Sequence, residues 1–227
     1  ATATKVQDVQ CNGAADGSIS VSASGGTPNY TYLWDDGAGQ TTTTATNLAP
    51  GNYTVTVTDG NGCTFTTPAV TITEPTALTA TATKVQDVQC NGAADGSISV
   101  SASGGTPNYT YLWDDGAGQT TTTATNLAPG NYTVTVTDGN GCTFTTPAVT
   151  ITEPTALTAT ATKVQDVQCN GAADGSISVS ASGGTPNYTY LWDDGAGQTT
   201  TTATNLAPGN YTVTVTDGNG CTFTTPA

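Results

Sequence analysis

The chain is one text of 79 residues written nearly three times. Lys5, Lys84 and Lys163 stand in the same context, KVQDVQCNGAADGSISVSASGGTPNYTYLWDDGAGQ, at intervals of 79, and every residue that aligns at that offset is identical through to Ala227. Repetition of this kind limits the fold before any local reading, because one unit has been multiplied and each copy must fold alike. A period of 79 is too long for a solenoid module and suits a small domain with its own core. The expected domains are 1–75, 76–154 and 155–227, the last without its final strand. Catalysis rarely needs copies, whereas reach and multivalency do.

Charge narrows the partners. The chain has three lysines, no arginine or histidine, and 17 acidic residues, for a net charge of −14. Nothing here displaces phosphate counterions, so nucleic acid is excluded, and a bare anionic membrane surface is disfavoured. No apolar run approaches the length of a membrane span, which argues against direct insertion. Without histidine, neither a Ser-His-Asp nor a Cys-His arrangement exists. The carboxylates Asp35 and Asp36 alternate faces on a strand and do not converge. No enzyme is expected.

Helical periodicity is absent and alternation with period two is pervasive. Ile19, Val21 and Ala23 face away from Ser18, Ser20, Ser22 and Ser24; Tyr53, Val55 and Val57 oppose Thr54, Thr56 and Thr58. Such strands belong to antiparallel sheets with one wet face. Asn12-Gly13, Asp16-Gly17, Gly25-Gly26, Asp36-Gly37, Pro50-Gly51 and Asp59-Gly60-Asn61-Gly62 supply turns between them. Six or seven strands follow, near 3–10, 17–24, 29–35, 40–47, 52–58 and 64–73, with Pro68 demoting the last to an edge or a bulge. The fold class is all-β: tandem immunoglobulin-like, Greek-key sandwiches in a linear, semi-rigid array. Leu48, Pro50-Gly51 and Tyr53 have the pattern of a tyrosine corner, repeated at Tyr132 and Tyr211. Trp34, Trp113 and Trp192 are the expected large core residues, and a solvent-facing tryptophan stacked on sugar is the alternative.

Each full period holds two cysteines. An even pair in a small, threonine-rich β unit reads as one disulfide per domain in an oxidising compartment, pairing Cys11 with Cys63, Cys90 with Cys142 and Cys169 with Cys221. Closing such a loop is worth roughly 4 kcal/mol on the chain-entropy account. Two thiols with no histidine and no CxxC spacing make a poor zinc site. Cofactors are therefore none, with calcium as a weak option: Asp35, Asp36, Asp59 and Asn61 offer oxygens, although Asp-Gly and Asn-Gly pairs are explained by turn geometry. Lys5, the one base of its repeat, invites an isopeptide bond but reads as solvated. Asn29 and Asn52 open NYT sequons at strand starts, where turn preference explains them.

CNGAADGSISV, SGGTPNYTYLW and NLAPGNYTVTVTDGNGC, closing on VTITEP, together resemble the SprB repeat of giant cell-surface proteins of Bacteroidetes. YLWDDGAG is more loosely similar to polycystic-kidney-disease (PKD) sandwiches. The resemblance implies extracellular display at the bacterial surface, export by the type IX route, and a part in adhesion or gliding motility, with no catalytic site. The junction VTITEPTALTATATKV has no Gly/Ser tether, so a strand leads almost directly into the next domain and a semi-rigid rod is expected. The third copy stops before VTITEP. That fits a window cut from a longer array, or an open sheet edge completed by a strand from a neighbouring chain. The reading is a non-catalytic stalk or filament of a surface adhesin whose partners are neighbouring copies, surface polysaccharide or other chains of the same filament. Two alternatives are a glycan-binding module repeated for avidity, which needs exposed aromatics near Trp34 or Tyr30, and a consensus-designed array.

Overall fold

A computed structural model describes residues 1–227, all in strands, turns and connecting segments. The first repeat contains β1 (Thr2–Gln7), β2 (Gly17–Ser22), β3 (Thr31–Trp34), β4 (Thr44–Leu48), β5 (Gly51–Tyr53), β6 (Val55–Thr58), β7 (Thr64–Thr66) and β8 (Val70–Ile72). The second repeat opens with β9 (Thr79–Gln86). All pairings are antiparallel. One sheet has the order β1-β2-β4, its partner the order β3-β6-β7, and β5 pairs with β8 in a short ribbon. The chain crosses between sheets from β2 to β3, back to β4 and over again to β6, which is the crossing pattern of an immunoglobulin-like sandwich.

Alternation becomes burial. Ile19, Val21, Ala45 and Leu48 from the first sheet meet Trp34, Val55 and Val57 from the second, and all are buried. The register places Lys5 opposite Ile19, Ile19 opposite Ala45 and Trp34 opposite Val55. Leu33, on the reverse side of β3, is 56% exposed. Ile72 closes the end of this core: it is 1% exposed, and its Cγ2 packs so near Gly17 that a Cβ there would sit 2.7 Å from it. Glycine at position 17 is what allows β8 to approach.

The strands differ from the sequence-based bounds in three places. β1 ends at Gln7, after which Val9 turns inward, 3% exposed, and its amide bonds to Thr73 O. The segment 40–43 is not regular strand, because Gln40 O is taken by Trp34 N and Thr43 O by Val21 N, one on each sheet. The run 64–73 divides at Pro68 into β7 and β8, which lie in different sheets. Asn29 has φ of 78°, a left-handed turn conformation that asparagine tolerates.

Candidate functional site: the junction between repeats

Two ends of the sandwich carry the cysteines. Cys11 lies in the loop between β1 and β2. There Gln10 N donates to Asp16 Oδ1 at 3.0 Å and Ala14 N to Cys11 O at 2.9 Å. Cys63 closes the β6–β7 turn. Asp59 shapes that turn, its Oδ1 accepting from Asn61 N and Cys63 N at 2.9 Å each and its Oδ2 from Thr27 N at 3.0 Å. These amides, Thr27 first and Cys63 next, hold the Asp59 carboxyl below its ordinary pKa.

The expected pairing within each repeat does not occur. β2 runs from beside the Cys11 loop to the Gly25-Gly26 turn beside Cys63, so the two cysteines lie about 20 Å apart at 3.3 Å per residue. A disulfide needs Cα atoms within about 7 Å. Instead Cys11 bonds Cys142 of the second repeat, and Cys90 bonds Cys221 of the third, with Cα separations of 5.7 and 5.6 Å. Cys63 and Cys169 are free and exposed. The cysteine pairs are thus Cys11–Cys142 and Cys90–Cys221, not Cys11–Cys63, Cys90–Cys142 and Cys169–Cys221. The loop end of one sandwich abuts the turn end of the next, and the bond forms where the two ends meet.

A second tie runs through the connecting segment, residues 73–78. Thr73 N donates to Asp8 Oδ1 at 2.7 Å, and Thr73 O accepts from Val9 N. Glu74 Oε2 accepts from Gly13 N at 2.6 Å, and Pro75 O from Asn12 Nδ2 at 3.0 Å. The very next residue changes allegiance: Thr76 O accepts from Gly105 N of the second repeat at 2.8 Å. Ala77 O lies directly against Gly104, so close that no Cβ fits, and Gly104 and Gly105 have φ of 75° and 58°. Only glycines combine that backbone with that approach. The same bonds recur at the second junction, through Thr152, Glu153, Pro154 and Thr155. Asp8 also pairs with Lys5 at 2.8 Å. That ion pair, then the Thr73 amide, lowers its pKa.

Polar recognition accompanies the covalent bond. Asn140 Nδ2 donates across the junction to Gln10 O at 3.0 Å, and Asn219 Nδ2 donates to Gln89 O at the same distance. In the first repeat the equivalent Asn61 Nδ2 donates instead to Thr27 Oγ1 at 2.8 Å. Asp138, which shapes the turn carrying Asn140, is buried at the junction. Desolvation works to raise its pKa, but amides of Thr106, Cys142, Asn140 and Gly141 outweigh it and hold the carboxyl below the ordinary value.

The other predicted residues take structural positions. Trp34, Trp113 and Trp192 are each 2% exposed, and Trp34 Nε1 donates to Thr42 O at 2.9 Å, so no indole face meets solvent. Tyr53, Tyr132 and Tyr211 donate to Ala49, Ala128 and Ala207 carbonyls at 2.9 Å, the corner geometry. Tyr30 OH donates to Gly25 O at 2.5 Å. Asp35 accepts from Thr54 N and Thr54 Oγ1, while Asp36 accepts from Gly39 N and from the backbone and side-chain amides of Gln40. With Asp59 and Asn61 in a separate turn, these oxygens do not gather into one cluster. Sequence reasoning missed Gln10, Gly104-Gly105 and the connector contacts. Their one visible signal was Gly-Gly recurring before each YTYLW strand.

The SprB repeat matches the chain three times, over residues 3–39, 82–118 and 161–197. Each match takes in the first cysteine of its repeat and stops before the second. No curated protein matches in sequence. Among solved structures, the chain is similar to a C-terminal fragment of intimin in complex with the intimin-binding domain of the translocated intimin receptor. The two are 18% identical, with 70% of this chain and 66% of that one covered and a TM-score of 0.34. It is also similar to an I-band fragment of titin (13% identical, 99% and 96% covered, TM-score 0.32). A third is a tetra-tandem repeat in the extending region of a large adhesion protein (17% identical, 98% and 71% covered, TM-score 0.28).

Proposed function

The chain carries three SprB repeats, and on that premise we propose that it is a stiff, tension-bearing segment of an extracellular adhesin stalk, without catalysis of its own. SprB repeats are cell-surface repeats, and disulfides persist in oxidising compartments, which together support an extracellular repeat array. One observation carries the finer reading: neighbouring repeats are joined twice, by a connector whose residues 73–76 are each hydrogen-bonded and by a disulfide that bypasses the connector. A flexible tether would bind partners independently. A doubly tied junction instead keeps successive domains in fixed relation, which suits a spacer that carries force to a distant tip. Gliding motility and type IX export, implied by the family resemblance, are consistent with such a spacer.

Pulling single molecules by their ends tests this. Tension enters at Ala1, passes from Cys11 to Cys142, returns along the chain to Cys90, and leaves from Cys221 to Ala227. That path holds about 70 residues, so the oxidised chain extends to about 240 Å, whereas the reduced chain reaches about 800 Å. Stepwise release to the full length under oxidising conditions would overturn the proposal.

A further inference from the structure

A groove opens on the sandwich outside the junction contacts. In the third repeat it measures about 570 Å³, within the range of small-molecule sites, and is lined by Tyr188, Thr189, Tyr190, Thr199, Thr200 and Thr201. The same walls stand in every repeat: in Tyr30–Tyr32 with Thr41–Thr43, and in Tyr109–Tyr111 with Thr120–Thr122, the tyrosines are again half-buried and the threonines exposed. The threonine wall is fixed through its backbone. Trp34, Trp113 and Trp192 each donate Nε1 to the carbonyl of its middle residue, Thr42, Thr121 or Thr200, at 2.9 Å. The next carbonyl, of Thr43, Thr122 or Thr201, accepts from Val21, Val100 or Val179 N. The middle hydroxyl is spent as well, on Thr44, Thr123 or Thr202 O at 2.6 Å. The outer two threonines of each wall keep exposed hydroxyls for an outside partner.

The opposite wall is the open edge of a sheet. β3 and its counterparts Thr110–Trp113 and Thr189–Trp192 pair on one side only. Asp193 N donates to Thr212 O on the paired side, so alternation turns the amides of Tyr190 and Trp192 to the open edge. Trp192 N is taken by Gln198 O at 2.9 Å, which leaves Tyr190 N–H as the one outward amide of the strand. A single amide does not carry a ladder, so an added peptide strand has too little to pair with. The lining holds no lysine and no carboxylate. A cation finds no counter-charge there, and the net charge of −14 repels polyanions at range.

We infer that this tyrosine–threonine groove is a binding site for neutral carbohydrate, present once in each repeat. A sugar ring packs its apolar C–H face on tyrosine, while its hydroxyls both donate and accept, as threonine hydroxyls do. The Tyr190 amide supplies one more donor. One open groove holds a short saccharide weakly. Three grooves on one chain raise the effective concentration for a polysaccharide whose units repeat. This activity is additional to the stalk role and stands whether or not the stalk carries tension.

The test uses the full chain with its junction disulfides formed. It is titrated with neutral hexaoses of glucose, mannose and xylose, with their polymers, with polygalacturonate, and with a Thr-Val-Thr-Val-Thr peptide. At least one neutral hexaose is expected to change tryptophan emission, because each indole is bonded to the groove wall. It should also shift the amide resonances of Tyr32, Tyr111 and Tyr190, a readout that needs no variant. The matching polymer should bind about tenfold more tightly or better. Replacing Thr41, Thr43, Thr120, Thr122, Thr199 and Thr201 with valine leaves every backbone bond of the wall in place and is expected to weaken hexaose binding about tenfold, the worth of one or two net hydrogen bonds. Failure of every neutral hexaose to shift the tyrosine amides overturns the inference. Tighter binding of polygalacturonate or of the peptide at those amides, or undiminished binding by the folded valine variant, overturns it too.

Discussion

Repeats 2 and 3 share one sequence from Leu78 to Ala148 and from Leu157 to Ala227, yet their cores are not alike. Ten buried apolar residues make up the second core and six the third. Ile98 is 0% exposed while Ile177 is half-buried, and Val88 is buried while Val167 is half-buried. The residues 209–211 form no strand in the third repeat, whereas Gly130–Tyr132 pair with Val149–Ile151 in the second. In place of that partner the third repeat has an open groove of about 420 Å³ lined by Val167, Gly175, Ile177, Leu206 and Tyr211. The ion pair Lys163–Asp166 is exposed there, with side chains at 64% and 76%, against 38% and 41% for Lys84–Asp87. One three-residue strand, Val149–Ile151, thus decides whether the end of a sandwich is closed. A strand this short matters because its isoleucine is the plug and its backbone completes the ribbon.

The comparison can be pressed hardest at the disulfides. Repeat 2 is stapled on both sides, through Cys90 and Cys142, and repeat 3 on one side only, through Cys221. Reduction is expected to cost up to about 5 kcal/mol per bridge on the chain-entropy account, so repeat 2 should lose most. Amide exchange before and after reduction would show its protection falling toward that of repeat 3. The order of the two should nevertheless persist, because the core difference does not depend on the bridges.

Truncating the isoleucines separates core from staple. Ile98→Ala removes a fully buried side chain and is expected to cost about 3–4 kcal/mol, while Ile177→Ala, beside the groove, should cost about 1–2. Chemical denaturation followed by exchange at each repeat reads both; equal losses would show that the groove is closed in solution by some other means. Conversely, extending the chain beyond Ala227 with Val-Thr-Ile-Thr-Glu-Pro should seat an isoleucine in the groove, adding about 2–3 kcal/mol to the third repeat. New protection at the Val167 amide would be the signature, since Val9 and Val88 donate to Thr73 and Thr152 where that strand is present.

The smallest effect expected is that of acid. The carboxyls of Asp8, Asp87, Asp138 and Asp217 are held below their ordinary pKa of 3.8 in the folded chain. A depressed folded pKa stabilises fully above the unfolded value, and that stability is lost as pH falls through the folded one. Melting temperature should be flat above pH 5 and decline below about 3.8. Asp8 and Asp87 fasten connectors at Thr73 and Thr152, so the decline should loosen the junctions as the domains melt. A decline that begins near neutrality would contradict this.

Much of one repeat was legible because strand alternation is a local property. Ile19, Val21, Val55 and Val57 face inward as their spacing requires, and Tyr53 bonds back to Ala49 as Leu-Ala-Pro-Gly-Asn-Tyr suggests. Val9 was not legible, since it follows the strand and turns inward only because Thr73, far along the chain, takes its amide. Nor was the role of Gly104-Gly105, whose turn signal says nothing of the carbonyl of Ala77 resting on it.

By itself, then, the sequence determined the period, the strands, the buried tryptophans and the presence of two cysteines in each full period. Read from the sequence, those cysteines pair within each copy, and that expectation fails because in identical repeats a bond within one copy and a bond to the next have the same pattern. Only the tertiary structure decided between them. Opposite ends of a sandwich lie too far apart for a disulfide, while the facing ends of successive sandwiches bring Cys11 to Cys142 and Cys90 to Cys221.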